Sequence, residues 1–309
     1  MAKIVVEVVL DADVSRVDLA VAAATGLPRA VIRGMFDHQC VAIDGALCKE
    51  PGLPGKRGAK LRIAYEKDRR YKEIPQPRST GGLAVVFEDQ HLIVVDKPAG
   101  VLTVPNHPDE THTLVHQVAR HLSRGPRITH RAHIVHRLDR DTSGLLVFGK
   151  TAAIAERLKD QFADRKPERE YIAIVAGQLR DDSGTFRSFL ATDDDLNQRS
   201  VETGTGKLAV THFVVVARLR GATEVRVNLE TGRRNQIRVH FSEIGHPVIG
   251  DKRYGVERAK HPLWRHDRLA LHARTLGLVH PIGGALLRWS AEVPTAFTVF
   301  AQNASLRKP

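Results

Sequence analysis

Cysteine is almost absent from this sequence, which has two such residues, Cys40 and Cys48, in 309. Two cysteines cannot build the disulfide framework of a small secreted domain, and this pair lacks the CxxC spacing of a structural zinc site. No window approaches the roughly 18 apolar residues of a membrane-spanning helix. The N-terminal run from Val5 to Leu10 contains Glu7, which favours a strand over a signal peptide. We therefore expect a cytoplasmic protein with no membrane segment.

Acidic residues are also fewer than basic ones. The chain has 35 Asp and Glu against 47 Lys and Arg, so its formal net charge is +12. Such a basic excess indicates a polyanionic partner, for which nucleic acid is the first candidate. Hydrophobic residues make up 42% of the chain and charged residues 27%, which excludes a wholly disordered protein. A length of 309 residues predicts about two domains.

The first 65 residues are predicted to form a small domain of two helices, a hairpin and a closing strand. Helices are predicted over residues 17–24 and 29–36, and a strand over residues 61–65. Asp44-Gly45 lies between two short apolar runs and predicts a two-residue hairpin turn. Residues 66–82 are charged and then contain Pro and Gly, which is typical of a linker.

This order of elements resembles the RNA-binding domain first seen in the ribosomal small-subunit protein S-four. The matching pieces are residues 16–18, Arg29, Arg33, residues 41–45 and residues 56–58. The chain departs from that family at Pro28, where Ser is usual, and at Gln39, where Gly is usual.

A basic face on this domain would suit RNA phosphates. Its candidate residues are Arg16, Arg29, Arg33 and Lys49. The alternative for each is a solvated cation on a helix surface.

Residues 83–309 are predicted to form an α+β domain around a mixed or antiparallel sheet. Apolar runs predict strands at residues 84–87, 92–95, 145–148, 171–175, 211–216, 225–229 and 286–289. Helices are predicted at residues 113–122, 152–162 and 236–244, and a loop over residues 192–208.

The segment His136–Phe148, HRLDRDTSGLLVF, joins a polar turn directly to an apolar strand. That arrangement holds side chains rigidly at a strand end. Arg137 and Arg140 flank Asp139 and favour its ionised form, which a carboxylate needs to act as nucleophile or base. From spacing alone, a structural ion pair in a loop fits equally well.

The same segment resembles the central motif of the RluA-type pseudouridine synthases, which isomerise uridine in RNA. Further motifs of that family occur in the right order at residues 96–100, 166–177, 231–240, 245–255 and 271–273. The match spans roughly residues 83–300. It departs from the family at Arg234-Asn235, where Thr-His is common.

The resemblance implies roles for four residues. Asp139 is then the catalytic aspartate, Tyr171 lies against the target base and assists proton removal from carbon five, and Arg238 pairs with Asp139. Arg137 fills the stack that the flipped uridine leaves. The resemblance implies RNA as partner and no cofactor or metal, and we expect a monomer.

Three other functions have some support in the sequence. His112 and His116 have a spacing that suits zinc, but neither Cys nor a carboxylate completes a site. Asp139-Arg140-Asp141 is similar to the motif of aspartate-nucleophile phosphatases, which need the preceding strand to be apolar. A non-catalytic RNA-binding or ribosome assembly factor is the remaining alternative. The expected substrate is 23S-type large-subunit ribosomal RNA, with transfer RNA as the alternative.

Overall fold

A computed structural model describes residues 3–37, 40–48, 51–66, 82–107, 110–123, 129–193, 197–202 and 205–306, without the side chains of residues 3, 29, 30, 33 and 37. The chain divides into two compact units, Met1–Arg78 and Ser79–Pro309. Each unit has its own sheet and its own hydrophobic core. Within the described ranges, no helix is long and apolar enough to cross a membrane.

The first unit combines two helices with a four-stranded antiparallel sheet. Its elements are β1 (Lys3–Val9), α1 (Val17–Thr25), α2 (Arg29–Asp37), β2 (Val41–Ile43), β3 (Ala46–Leu47) and β4 (Lys60–Glu66). The strands lie in the order β1-β4-β2-β3. These elements confirm the predicted helices, hairpin and closing strand.

Local sequence explains the hairpin and the buried face of this sheet. Asp44 and Gly45 have φ angles of 49° and 82°, and two successive positive φ values are what a type I′ turn requires. Along β4, Leu61 and Ile63 are buried, whereas Lys60 is exposed to solvent. The period of two therefore turns one face of the sheet towards the core that the helices share.

The second unit contains eleven strands and four helices among the residues that the structure describes. The strands are β5 (Ala84–Glu88), β6 (Leu92–Lys97), β7 (His133–Ile134), β8 (Ser143–Gly149), β9 (Glu168–Ala176), β10 (Ser183–Thr192), β11 (Gln198–Val201), β12 (Lys207–Leu219), β13 (Ala222–Leu229), β14 (Leu271–Val279) and β15 (Leu286–Ser290). The helices are α3 (Leu114–Ser123), α4 (Ala152–Ala163), α5 (Gln236–Glu243) and α6 (Thr295–Asn303).

These strands form one sheet in the order β11-β10-β12-β13-β9-β14-β8-β6-β5, with β15 on β14 and β7 on β8. The β8–β14 pair is parallel, and the other pairs among the described strands are antiparallel. The predicted α+β class with a mixed sheet is therefore confirmed.

Successive residues of β6 and β8 pack into two different hydrophobic clusters. One cluster contains Ile93, Val95, Leu146 and Phe148. The other contains Leu92, Val94, Leu145 and Val147. Residues of α3, α5 and α6 join the first cluster, and residues of α4 join the second. Because β6 and β8 are buried on both faces, the loop that precedes β8 starts from a rigid support.

One sequence prediction is wrong in this unit. Residues 192–208 were expected to be a loop, yet they contain β11 and the start of β12. Backbone pairing of β11 with β10, from Phe189↔Val201 to Thr192↔Gln198, makes this strand. Its sequence, Gln-Arg-Ser-Val, has no apolar alternation from which a strand could be predicted.

Candidate active site

Asp139 lies in the loop between β7 and β8, at the end of the buried central strands. Its carbonyl accepts a hydrogen bond from the backbone nitrogen of Thr142 at 3.2 Å, which closes a turn. Leu138 and Thr142 are buried on either side, whereas the Asp139 side chain is 23% exposed. The loop therefore anchors its neighbours in the core and presents the Asp139 carboxylate at a partly open position.

Two side chains hold the backbone on both sides of Asp139. The buried Thr103 hydroxyl donates to the Leu138 carbonyl at 2.8 Å and accepts from the Leu138 nitrogen at 3.2 Å. The fully buried Lys97 donates from Nζ to the Arg140 carbonyl at 2.8 Å. Asp139 is thus bracketed by contacts from the last residue of β6 and from the segment that follows it.

Arg238, in the first turn of α5, joins Asp139 to a second carboxylate. Its Nη1 donates to Asp139 Oδ2 at 3.2 Å. Its Nε and Nη2 donate to the two oxygens of Asp251 at 2.7 and 2.8 Å. Burial alone would lower the pKa of Arg238, but hydrogen bonds and charge from Asp251 and then Asp139 outweigh burial and raise it. Arg238 is therefore a permanent cation, and its shorter bonds go to Asp251.

Asn235 and Tyr254 complete the surroundings of Arg238. Asn235 Oδ1 accepts from Arg238 Nη1 at 3.1 Å, and Asn235 Nδ2 donates to the Tyr254 hydroxyl at 2.9 Å. The Tyr254 ring lies under the guanidinium, 5.0 Å from its Cζ to the ring centroid. Asn235 has a φ of 54°, a left-handed conformation that Asn adopts more readily than most residues. The departure from the family motif at this position thus lies inside the Arg238 cluster.

A buried polar network fixes α5 on the sheet. Gln236 donates to the Val210 carbonyl at 3.0 Å and to the Thr211 hydroxyl at 2.9 Å, and accepts from the Thr231 hydroxyl at 2.8 Å. His240, one turn later, is hydrogen-bonded to Thr211 at 2.9 Å. Burial lowers the pKa of His240 to about 4, so this imidazole is neutral at physiological pH. The helix that carries Arg238 is therefore anchored on both sides of that residue.

Tyr171 lies on β9 between β13 and β14, where it pairs with Val227 and Ala273. It is 8% exposed, and burial raises its pKa, which Asp139 raises further and Arg169 lowers. The Tyr171 hydroxyl is therefore a neutral phenol at physiological pH. Ala273, the partner of Tyr171 on β14, pairs in turn with Gly144 of β8, the strand that follows the Asp139 loop.

Arg169, two residues before Tyr171, is a buried cation in the same strand. Its Nη2 donates to the carbonyls of Leu229 and Glu230 at 3.2 and 2.9 Å. Its guanidinium carbon lies 5.4 Å from the centroid of the Phe162 ring. These contacts tie β9 to the chain that leads into α5, so Tyr171 and Arg238 share one scaffold.

Of the remaining predicted residues, Arg137 belongs to the second unit, whereas Arg16, Arg29, Arg33 and Lys49 belong to the first. Arg137 is exposed and makes no hydrogen bond or ion pair with any described residue. Arg16 donates to both oxygens of Asp18 at 3.0 and 2.8 Å. Arg29 and Arg33 lie on α2 with their side chains outside the described atoms, and Lys49 lies outside the described residues.

Lys97, Thr103 and Asp251 are among the residues of the site to which the sequence assigns no role. Lys97 and Asp251 occur within segments that match family motifs, which was the available signal. Their contacts depend on pairings across 43 residues for Lys97 and 13 for Asp251, so local patterns do not reveal them.

The comparisons with known proteins agree on one protein family. Residues 91–243 match the model of the RNA pseudouridylate synthase family. A protein of Zymomonas mobilis named ribosomal large subunit pseudouridine synthase D is 38% identical over 296 residues, or 90% of each chain. One of the same name from Pseudomonas aeruginosa is 35% identical, over 87% of this chain and 85% of the relative. The uncharacterized RNA pseudouridine synthase YhcT of Bacillus subtilis is 38% identical over 85% of each chain.

Solved structures share the fold. Human RNA pseudouridylate synthase domain containing 4 superposes with a TM-score of 0.59 at 22% identity, over 73% of this chain and 94% of that one. The human domain-containing protein 1 gives a TM-score of 0.55 at 25% identity, over 70% and 85%. This chain belongs to the RluA-type family of RNA pseudouridine synthases. It is an isomerase that converts uridine to pseudouridine.

Proposed function

We propose that this isomerase acts on uridine in large-subunit ribosomal RNA, with Asp139 as its catalytic carboxylate. One observation carries the assignment of Asp139: Arg238 binds Oδ2, while Oδ1 accepts no hydrogen bond from the described residues. A carboxylate held through one oxygen keeps the other for the substrate. The names of the relatives from Zymomonas mobilis and Pseudomonas aeruginosa support ribosomal RNA as the substrate.

The isomerisation is balanced without any co-reactant. The bond between uracil N1 and ribose C1′ breaks, the uracil turns in its pocket, and a bond forms between C5 and C1′. The proton on C5 leaves and N1 takes up a proton. Asp139 acts at the sugar, as nucleophile or as base, while Arg238 holds its carboxylate in place. As the family resemblance implies, the proposed reaction uses neither a cofactor nor a metal.

In this proposal Tyr171 contacts the uracil, and Arg137 replaces the uridine in the RNA stack. Tyr171 lies against the uracil, and base–aromatic stacking contributes about 1–3 kcal/mol. As a neutral phenol it assists removal of the C5 proton through a hydrogen bond. The exposed Arg137 enters the stack that the uridine leaves, because a guanidinium both stacks on bases and binds phosphate.

The first unit is proposed to anchor RNA, as its resemblance to the S-four domain implies. We assign residues 1–65 to this domain, residues 66–82 to a linker and residues 83–309 to the catalytic domain. Arg29, Arg33 and Lys49 are the proposed phosphate contacts, together with Arg16 when Asp18 releases it. The enzyme is proposed to work in the cytoplasm as a monomer.

The test maps pseudouridine in ribosomal and transfer RNA from cells that lack the gene. Cells complemented with the wild-type chain, with Asp139→Asn or with Asp182→Asn are compared. Asp182 is a matched control, since it also binds an arginine but is 87% exposed. We expect a large-subunit site to be lost without the gene, restored by wild type and by Asp182→Asn, and unmodified with Asp139→Asn.

Two results would count against the proposal in different ways. A lost site in transfer RNA alone would replace the proposed substrate. A site restored by Asp139→Asn would refute the role of Asp139.

A further inference from the structure

Arg238 is held by Asp251 more firmly than by Asp139. Asp251 is 2% exposed as a residue, and its side chain is fully buried. It receives two N–H groups from Arg238 at 2.7 and 2.8 Å, whereas Asp139 receives one at 3.2 Å. A bidentate pair fixes the plane of a guanidinium as well as its position. The direction of Arg238 Nη1 is therefore set by Asp251.

The two oxygens of Asp251 have different partners. Among the described residues, Oδ2 accepts a hydrogen bond only from Arg238 Nε. Oδ1 accepts from Arg238 Nη2 and also from the backbone nitrogens of Arg253 and Tyr254 at 2.8 and 3.0 Å. Asp251 thus links the guanidinium to the backbone of its own loop, so the direction of Arg238 is tied to a rigid turn.

Asn235 constrains the same guanidinium from the other side. It accepts from Nη1, the nitrogen that also reaches Asp139. Its amide nitrogen is tied in turn to the hydroxyl of Tyr254, whose ring lies under the guanidinium. With Asp251 and Tyr254, Asn235 leaves Arg238 a single orientation.

We propose that Asp251, with Asn235, is a positioning residue for the isomerisation, which fixes Arg238 so that it contacts only one oxygen of Asp139. The inference rests on the proposed catalytic role of Asp139. Asp251 takes the N–H of Nε and one N–H of Nη2, and Asn235 takes one N–H of Nη1. The guanidinium held in this way directs the other N–H of Nη1 to Oδ2 of Asp139. Oδ1 of Asp139 therefore stays available to the ribose.

Asp251→Asn separates this role from a structural role in the loop. The asparagine keeps an oxygen for the backbone nitrogens of Arg253 and Tyr254. Its amide group replaces Oδ2 and opposes the N–H of Arg238 Nε, donor against donor. The variant therefore releases Arg238 while it preserves the turn.

The substrate for the test is total RNA from cells that lack the gene, grown with uridine tritiated at C5. Each isomerisation releases one tritium to water. The maximal single-turnover rate and the enzyme concentration at half-maximal rate are measured separately. We expect Asp251→Asn to lower the maximal rate by about 100-fold, which is the loss that a misplacement of a group by about 1 Å can cause. The enzyme concentration at half-maximal rate should stay within about twofold of the wild-type value. Asp182→Asn is the matched control.

A double-mutant comparison shows whether Asp251 acts through Arg238. In an Arg238→Lys background we expect Asp251→Asn to lower the remaining rate by less than about threefold, because the group that it positions is already altered. Equal losses in both backgrounds would mean that Asp251 acts independently and would overturn the proposal. So would a maximal rate for Asp251→Asn within about twofold of wild type.

A second variant covers a failure of Asp251→Asn to fold. Asn235→Gly removes the side chain and tolerates the φ of 54° at this position. We expect a maximal rate about 10-fold lower at an unchanged melting temperature, and an unchanged rate would overturn the proposal. Asp139→Asn is measured beside it. If Asp139→Asn stays active, the proposed function fails; if it is inactive while Asp251→Asn and Asn235→Gly are not impaired, only the present inference fails.

Discussion

Among single residues, Lys97 couples the stability of the active-site loop to pH. It is fully buried, and its Nζ donates to the carbonyls of Pro98, Val101 and Arg140 at 3.0, 2.7 and 2.8 Å. Burial outweighs the attraction of Asp141 and Asp139 and lowers the pKa of Lys97 from 10.5 to about 7. Between these values, the unfolded chain holds a proton that the folded chain has released. Stability linked to Lys97 therefore rises with pH above about 7.

We predict that wild type gains stability relative to Lys97→Met as the pH rises from about 7 to about 9, by about 1–3 kcal/mol. The measurement is urea unfolding followed by tryptophan fluorescence. Both tryptophans, Trp264 and Trp289, lie in the second unit, so the signal reports on that unit alone. Because other groups titrate equally in both proteins, their effects cancel in the difference. A constant difference across this pH range would contradict the prediction.

At the scale of elements, apolar periodicity predicted the strands and helices whose surroundings are simple. β6 and β8 are examples because each contains a continuous apolar run, and α4 is another because its apolar residues repeat at helical spacing. The pattern fails for β14, where His272 and Arg274 interrupt the run. His272 is nevertheless buried, because its Nδ1 is hydrogen-bonded to Ser143 at 2.8 Å on the neighbouring strand β8. A partner 129 residues away cannot be read from local sequence.

The residues of the site also divide into those that local sequence predicts and those that depend on distant contacts. Asp139, Tyr171 and Arg238 were predicted from motifs, since their residue types and order are characteristic of the family. The bond from Arg238 to Asp139 spans 99 residues, and its bond to Asp251 spans 13. The first was implied by the resemblance, whereas the second emerges only when α5 and the following loop are folded together.

The prediction at the scale of elements concerns the buried polar network that fixes α5 on the sheet. Gln236 is 2% exposed, and its amide has partners at both ends, so truncation leaves several buried polar groups unpaired. We expect Gln236→Ala to lower the free energy of unfolding by about 2–4 kcal/mol. The rate of isomerisation should fall as well, because Arg238 is two residues further along the helix.

Gln178→Ala is the matched control for Gln236→Ala. Gln178 makes one long hydrogen bond, to the Leu219 carbonyl at 3.3 Å, and its loss is expected to cost less than about 1 kcal/mol. Tryptophan fluorescence in urea measures both variants. Equal destabilisation by the two substitutions would show that the network does not anchor α5.

At the scale of the whole molecule, the charge of +12 concerns RNA affinity and not the chemistry. The reaction is proposed to depend on Asp139, whose carboxylate is held by Arg238. Affinity for a polyanion depends instead on the number of cations that displace counterions from phosphates, and it therefore falls with salt. Cations already bound to carboxylates release few counterions, so their positions matter as well as their number.

This distinction predicts different salt dependences for two triple variants of equal charge. The first replaces Arg29, Arg33 and Lys49 by Ala. The second replaces Lys159, Arg218 and Lys260, whose side chains form ion pairs at 2.7 Å with Glu156, Asp182 and Glu257. Large-subunit ribosomal RNA is titrated at several salt concentrations. The slope of log affinity against log salt should become shallower by about 2–3 in the first triple and by less than about 1 in the second. Equal changes would mean that net charge alone governs binding, and the first unit would lose its proposed role as the RNA anchor.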